Sequence, residues 1–486
     1  MLRSPLWFSI LVGITLVCLG SLNVDADPDL FHRLAMGKIL SEERVFPFTD
    51  PFAFTPKLPK WIDHEWLSGF VFYALYSYGG ETALLLFRST IYLLTIVVVI
   101  RTLLLLSPAS PTTAAWFLLC MYHGSFGWAG TVRCQVFTYF FIPLVVLGIL
   151  NAHLKNRWSL LFFAPLFMIP WCNLHGGFVL GIILTLGFSC FLLITRGKWM
   201  RPLFISTLMI AATTLNPYGF TSYWKYLVDA LTMSRPTIPE WAPLWEQPDQ
   251  CAATLLFTIV ILSGVILTLR KRTGPSLKDF TLPSKETILL LSGLIVFSAY
   301  SAFRHARMLV FYMVLLAPLG SPFIVVAAGK CAYLFPSFSK KLRRVWSFTL
   351  PSLAICTLCM VLTQRPERLL SLNYNSFPTQ AIAQLSTSSR EGRLLVSFNV
   401  GSYALWKLYP KFLISVDGRY ETVYPDSTVE RVEEAITSGE LSKVDELNPT
   451  DILIVKSKNT PTILTNLSEK WVVWYEDSKA VLLKPR

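Results

Sequence analysis

Long apolar runs separated by short polar connections dominate the first three-quarters of the chain. Eleven stretches, 6–22, 82–106, 112–130, 135–150, 158–172, 177–195, 202–217, 252–270, 286–303, 308–328 and 346–363, approach or reach membrane-crossing length. A spanning helix takes roughly 17–25 apolar residues. Backbone N–H and C=O groups in lipid must bond within their own segment, so these runs predict helices rather than open sheet. Two shorter amphipathic segments fall between the first two runs. Residues 30–42 place Leu30, Leu34, Ile39 and Leu40 at helical intervals, with Asp29 as the expected cap. Residues 65–79 are aromatic and apolar but short, which predicts a helix lying in the membrane interface. Between them, PFTDPFAFTPKLPKW is held extended by its prolines.

From about residue 364 the pattern changes to that of a soluble fold. Residues 394–398, 412–416, 452–455, 471–475 and 480–483 read as strands, with helices over 378–385 and 429–436. The expected architecture is a polytopic α-helical membrane domain, 1–363, followed by a small α/β domain, 364–486.

Composition agrees: 53% of residues are hydrophobic, 15% are charged and mean hydropathy is +0.51. The net charge of +13 first suggests nucleic acid, but its placement excludes that partner. Basic residues concentrate in short loops, around Arg196 to Arg201, Arg270 to Lys285 and Lys330 to Arg344. These alternate with acidic loops, 23–81 and the stretch holding Asp229, Glu240, Glu246 and Asp249. That alternation follows the positive-inside rule. It places the N-terminus in the cytoplasm, and the first loop and C-terminal domain on the outer face. Residues 6–22 have the make-up of either a cleavable leader or a first span, and the loop alternation works with the helix retained. Of the nine cysteines none follows Cys359, so the C-terminal domain cannot depend on disulfides.

The first loop carries the densest chemistry. Seven carboxylates precede Glu65, far more than a simple connection requires. Asp25, Asp27 and Asp29 follow the first run directly, and their mutual repulsion favours raised pKa values or a bound cation. Such a cluster suits a general base or a divalent metal held by oxygen ligands, although capping and topology explain acids there too. Asp63-His64-Glu65 lies where the loop returns to the membrane. Helix capping and convergence on a site both account for it. Arg88, Arg133, Arg304 and Arg307 fall near the same ends of apolar runs. Snorkelling explains each alone, whereas several together would cradle a lipid-linked phosphate. His175, in NLHGG, sits at a turn where Gly176 and Gly177 permit close approach. Glu240 and Trp241 stand in the second acidic loop. Asp417 and Arg419 read equally as a contact for acceptor or first loop and as a turn ending a strand.

At DPDLFHRLAMG, TDPFAFT and WIDHEWL the chain resembles bacterial multi-pass membrane proteins described as glycosyltransferase-like, of the GT-C superfamily. Their first outer loop runs in the style of DPDLWWHLxxG, TDPFSFT and HEWL. Further matches are Asn173 with His175-Gly176, Asn216-Pro217, Glu240-Trp241, Arg304 with Arg307, and Val416-Asp417-Gly418-Arg419. One departure stands out: the family's histidine before Leu-x-x-Gly aligns with Arg33, while this chain has His32 one position earlier. A shift of one residue turns a side chain by about 100° on a helix.

The resemblance implies two juxtamembrane helices in the first loop, an acid after the first helix acting as base, and a polyprenyl-phosphate sugar as donor. Asp27 is the first choice for the base and Asp25 the second. The expected activity is transfer of a sugar to a hydroxyl of a glycan, lipid or protein acceptor on the outer face. Asp29, Asp63, His64, Glu65 and His175 are supporting acid–base or metal candidates. No cofactor is required and a divalent metal is admitted. The rival expectation is a non-catalytic membrane protein for transport or assembly of lipid-linked glycans, since fold does not imply turnover.

Overall fold

The computed structural model describes residues 5–22, 24–128, 131–232, 239–270, 282–364, 369–441 and 445–486. The end of the 112–130 run and much of the basic 270–285 loop lie outside the described residues. Five helices are long and apolar enough to cross a membrane: Trp66–Leu106, Gln135–Lys155, Phe178–Arg196, Pro248–Leu269 and Lys285–Arg304. A bent pair, Ala306–Leu319 with Ser321–Leu334, makes a sixth span when its 59° break is counted within one crossing. Shorter apolar helices, Trp7–Ser21, Ala164–Leu174, Met200–Ala212 and Phe348–Thr363, occupy four further runs. The protein is a multi-pass α-helical membrane protein with a small C-terminal sheet domain.

The first loop builds the two short helices expected of it. Pro28–Lys38 is α-helical and widens into a π turn, Ile39–Glu43, which ends at Arg44 with φ 57°. The long helix Trp66–Leu106 breaks at Gly80, where φ is 59° and ψ −150°. Only glycine adopts that backbone without strain, so an aromatic segment, 66–78, is separated from the span that follows. The two short helices cross at Gly37 and Gly69. A Cβ on Gly37 would lie 2.1 Å from the Gly69 carbonyl oxygen, so the backbones meet with no side chain between them.

The C-terminal unit holds a five-stranded sheet in the order β2-β1-β3-β5-β4. Its strands are β1 Gly392–Leu395, β2 Phe412–Ile414, β3 Asp451–Val455, β4 Trp471–Glu476 and β5 Ala480–Pro485. β1 pairs in parallel with β2 and β3, and the β3–β5 and β5–β4 pairs are antiparallel. The expected strand 394–398 stops at Leu395, and the chain turns into a helix, Phe398–Leu408. Parallel neighbours need a crossover, and this helix supplies it between β1 and β2. Gly401 lets it lie directly on the chain after β2, because a Cβ there would meet the Val416 carbonyl oxygen at 1.8 Å.

The first loop is sewn onto this sheet. Phe54 donates its backbone N–H to Ile414, and Ile414 donates to Phe52, at 3.1 and 3.0 Å. The Thr55 hydroxyl donates to the Ser415 carbonyl at 2.6 Å. Residues 52–55 therefore extend the sheet beyond β2.

Candidate active site

The residue that caps helix Pro28–Lys38 is Asp27, not Asp29. Its Oδ1 accepts the Asp29 backbone N–H at 2.9 Å. Pro28 explains the register, since its fixed φ suits the first helical position and its missing N–H costs nothing there. Asp29 is left in the first turn with its carboxylate free to face the next element. That element is the start of Gln135–Lys155, which presents Arg133. The guanidinium Nη2 donates to Asp29 Oδ2 at 2.7 Å and Nη1 to Glu240 Oε1 at 2.8 Å. Its Nε lies 3.0 Å from Asp27 Oδ2, an ion pair without hydrogen-bond alignment. Three acids from two distant segments thus share one cation.

Their environments separate the two aspartates. Asp27 is 6% exposed; burial raises its pKa to about 6, against the opposing pull of Arg133. Burial would raise Asp29 as well, but Arg133, with His32 and Arg33, outweighs it and holds that carboxyl below its ordinary value. Two neighbouring carboxyls pushed apart in this way are suited to different roles. Asp25 stands elsewhere. It is exposed, forms a β-bridge with Asn373 and accepts the Asn373 side-chain amide at 2.8 Å.

A second cluster forms around Glu65. Arg33 points away from the Asp27 group and joins Asp63 and Glu65 in ion pairs, with one guanidinium nitrogen on each. The Cys134 thiol donates to Glu65 Oε2 at 3.0 Å. His64 and His175 bring Nε2 to 3.5 and 3.6 Å from Glu65 Oε1. Gly176 makes room, since a Cβ there would lie 3.3 Å from the His64 ring. Burial would raise the Glu65 pKa, but Arg33 and the two histidines hold it well below the carboxylate range. Burial drives His175 down to about 3, so the ring is neutral. Glu65, Cys134 and His175 each place one ligand atom within 4.8 Å of the others, a set of residue types able to hold a metal. Arg133 and Cys134 are adjacent, so the two clusters are neighbours.

His32, on the other side of the helix, turns toward the C-terminal domain. Its Nδ1 lies 3.3 Å from the Ser402 hydroxyl, which also accepts the Gly418 N–H at 3.1 Å. Burial lowers His32 to about 4, which keeps it neutral. Beside it, Arg419 is fully enclosed. It pairs with Asp417 at 2.6 Å and with Asp50 of the first loop. The rings of Phe52 and Trp61 flank its guanidinium at 4.9 and 5.0 Å. Arg419 therefore contacts the first loop directly, and Asp417 holds Arg419 in place.

Of the remaining arginines, Arg307 lies nearest the centre. Its guanidinium sits 4.4 Å from the Trp241 ring and acts electrostatically on His175 and Tyr139. Among the described residues it forms no ion pair. The Trp241 carbonyl lies 2.9 Å from His305 Nδ1, and Ala306 donates to Ala242 at 2.9 Å, which fixes the Glu240 segment against Arg307. Met308 lines a small apolar pocket together with Leu180, Leu184, Phe297, Phe311 and Leu315. Arg304 is exposed at the end of its helix. Arg88 is buried in its span, facing the first helix, with Nη2 3.5 Å from the Gly20 carbonyl.

Arg33, Cys134 and Asp50 are the participants that pattern reading passes over. The signal for Arg33 was present: two buried acids, Asp63 and Glu65, require a cation, and its position one residue after His32 places it on their side.

A comparison with protein-family models finds no match, and neither does a comparison with curated proteins. Solved structures are similar over nearly the whole chain. ArnT from Cupriavidus metallidurans, bound to undecaprenyl phosphate, aligns with a TM-score of 0.57 at 14% identity, covering 98% of this chain and 97% of its own. The oligosaccharyltransferase AglB from Archaeoglobus fulgidus, in complex with an inhibitory peptide and a dolichol-phosphate, aligns with 0.60 at 10% identity, covering 99% and 74%. Its apo form aligns with 0.59 at 11% identity, covering 100% and 74%. Both proteins are GT-C glycosyltransferases, and the chain has the GT-C fold.

Proposed function

We propose that the protein transfers a sugar from a polyprenyl-phosphate donor to an acceptor hydroxyl at the outer face of a bacterial cytoplasmic membrane. The observation that carries this reading is a buried aspartate, Asp27, shortly after the first helix of a GT-C fold, with a pKa raised by burial to about 6. In this reading Asp27 takes the proton from the acceptor hydroxyl as its oxygen attacks the anomeric carbon. The bond between that carbon and the phosphate oxygen breaks, and polyprenyl phosphate leaves. A base of this kind contributes on the order of 10²–10⁴ in rate. Arg133 keeps Asp27 and Asp29 in place.

Arg307 is suited to the phosphate. It has no carboxylate partner among the described residues, and Met308 beside it lines a small apolar pocket. A guanidinium matches phosphate oxygens in paired hydrogen bonds. The structures of ArnT and AglB hold undecaprenyl phosphate and a dolichol-phosphate, which supports the same ligand class here.

Binding of undecaprenyl phosphate to the purified protein tests this assignment. Arg307→Ala is expected to weaken binding by about tenfold or more, a charge-assisted contact being worth about 1.5–3 kcal/mol, with an unchanged melting temperature. Equal binding by the variant would remove Arg307 from the donor site.

A further inference from the structure

We propose that Arg33 is a built-in cation standing where a metal ion would otherwise sit, so that the Glu65 cluster excludes divalent metal and replacing Arg33 opens it. The residue types alone suggest the opposite. Glutamate, cysteine and histidine with ligand atoms within 4.8 Å form a donor set that suits Zn²⁺. The fixed charge of Arg33, paired with Asp63 and Glu65, decides against it.

His175 Nδ1 accepts the Gly177 backbone N–H at 3.0 Å. The same nitrogen lies 2.7 Å from the Thr138 hydroxyl. Thr138 already accepts from Trp171 Nε1 at 2.8 Å, which leaves its own hydrogen for Nδ1. A neutral ring receiving two donors on Nδ1 carries its proton on Nε2, the atom that faces Glu65 at 3.6 Å. The Cys134 thiol lies 3.6 Å from Gln135 Oε1 and 3.0 Å from Glu65 Oε2. Arg33 occupies the same oxygen, and His64 Nε2 approaches the other at 3.5 Å.

Glu65 is thus met by Arg33, Cys134, His64 and His175. A metal would have to displace these hydrogens, since it binds a thiolate and an unprotonated Nε2. It would also sit beside a permanent guanidinium charge that already bridges Asp63 and Glu65. Arg33 neutralises buried acids as a metal would, but it cannot dissociate. This inference concerns the metal chemistry of the cluster and stands apart from the sugar-transfer reading.

Metal content of the purified full-length protein tests it. Protein incubated with excess Zn²⁺ and desalted is analysed by mass spectrometry for bound metal. Wild type is expected to retain no more than the Cys134→Ser variant. Arg33→His removes the fixed charge and adds a ligand, and is expected to retain one Zn²⁺ per chain, lost again when Cys134→Ser is added. Should Arg33→His fail to fold, Arg33→Gln serves, because it keeps a hydrogen-bonding side chain without the charge. Stoichiometric Zn²⁺ in wild type that disappears with Cys134→Ser would overturn the proposal. So would a folded Arg33 variant, eluting and melting as wild type does, that retains none.

Discussion

At the scale of single residues, the account turns on how burial and one guanidinium divide the work between Asp27 and Asp29. Both touch Arg133, yet the deeper Asp27 is raised to about 6 while Asp29 is lowered. A general base must be ionised, so transfer is expected to be lost as pH falls through about 6 and to level off above it. Arg133 pulls the Asp27 pKa down. Replacing it with glutamine should therefore shift the acidic limb of the kcat/KM profile to higher pH, which a pH series on both proteins measures. An unmoved limb would show that another group sets it. The sequence made Asp25, Asp27 and Asp29 visible as a trio but could not rank them by exposure. The ranking comes from Pro28, which sets the helix register, and from Arg133, a hundred residues away in the chain.

At the scale of elements, the first loop and the C-terminal sheet are one construction. Residues 52–55 join the edge of β2, and Arg419 binds Asp417 and Asp50 in a fully buried site. Breaking a buried ion pair by removing one partner costs about 3–5 kcal/mol, because the stranded charges remain. Arg419→Met is accordingly expected to lower the melting temperature clearly, with the first loop becoming accessible to protease. A variant that melts and resists cleavage as wild type does would show that the latch is not structural. Local pattern was a good guide to the apolar helices and to the break at Gly79-Gly80, though five or six of the eleven runs form helices of crossing length among the described residues. It carried the strand on to residue 398, where the chain already enters Phe398–Leu408, the crossover helix that the parallel β1–β2 pairing demands. The latch was legible only as the string Asp417-Gly418-Arg419, since its partner Asp50 lies 369 residues away from Arg419.

At the scale of the whole molecule, carboxylates from the first loop, Arg133 and Cys134 from the start of one span, His175 from the turn before another and Arg307 from a bent pair meet in one region. The GT-C fold explains why: loops that are distant in sequence are gathered at one end of the helix bundle, with the sheet domain packed on the first of them. Composition and loop charge made the membrane class plain. The pairing of particular acids with particular arginines follows from tertiary packing, which no periodicity encodes.

The most direct measurement is turnover of a polyprenyl-phosphate sugar by the purified protein, comparing Asp27→Asn with Asp25→Asn. Asp27→Asn is expected to lose about 10²–10⁴ in kcat while remaining folded, and Asp25→Asn, exposed and bound to Asn373, to keep wild-type turnover. Equal activity in Asp27→Asn and wild type, or loss confined to Asp25→Asn, would contradict the account.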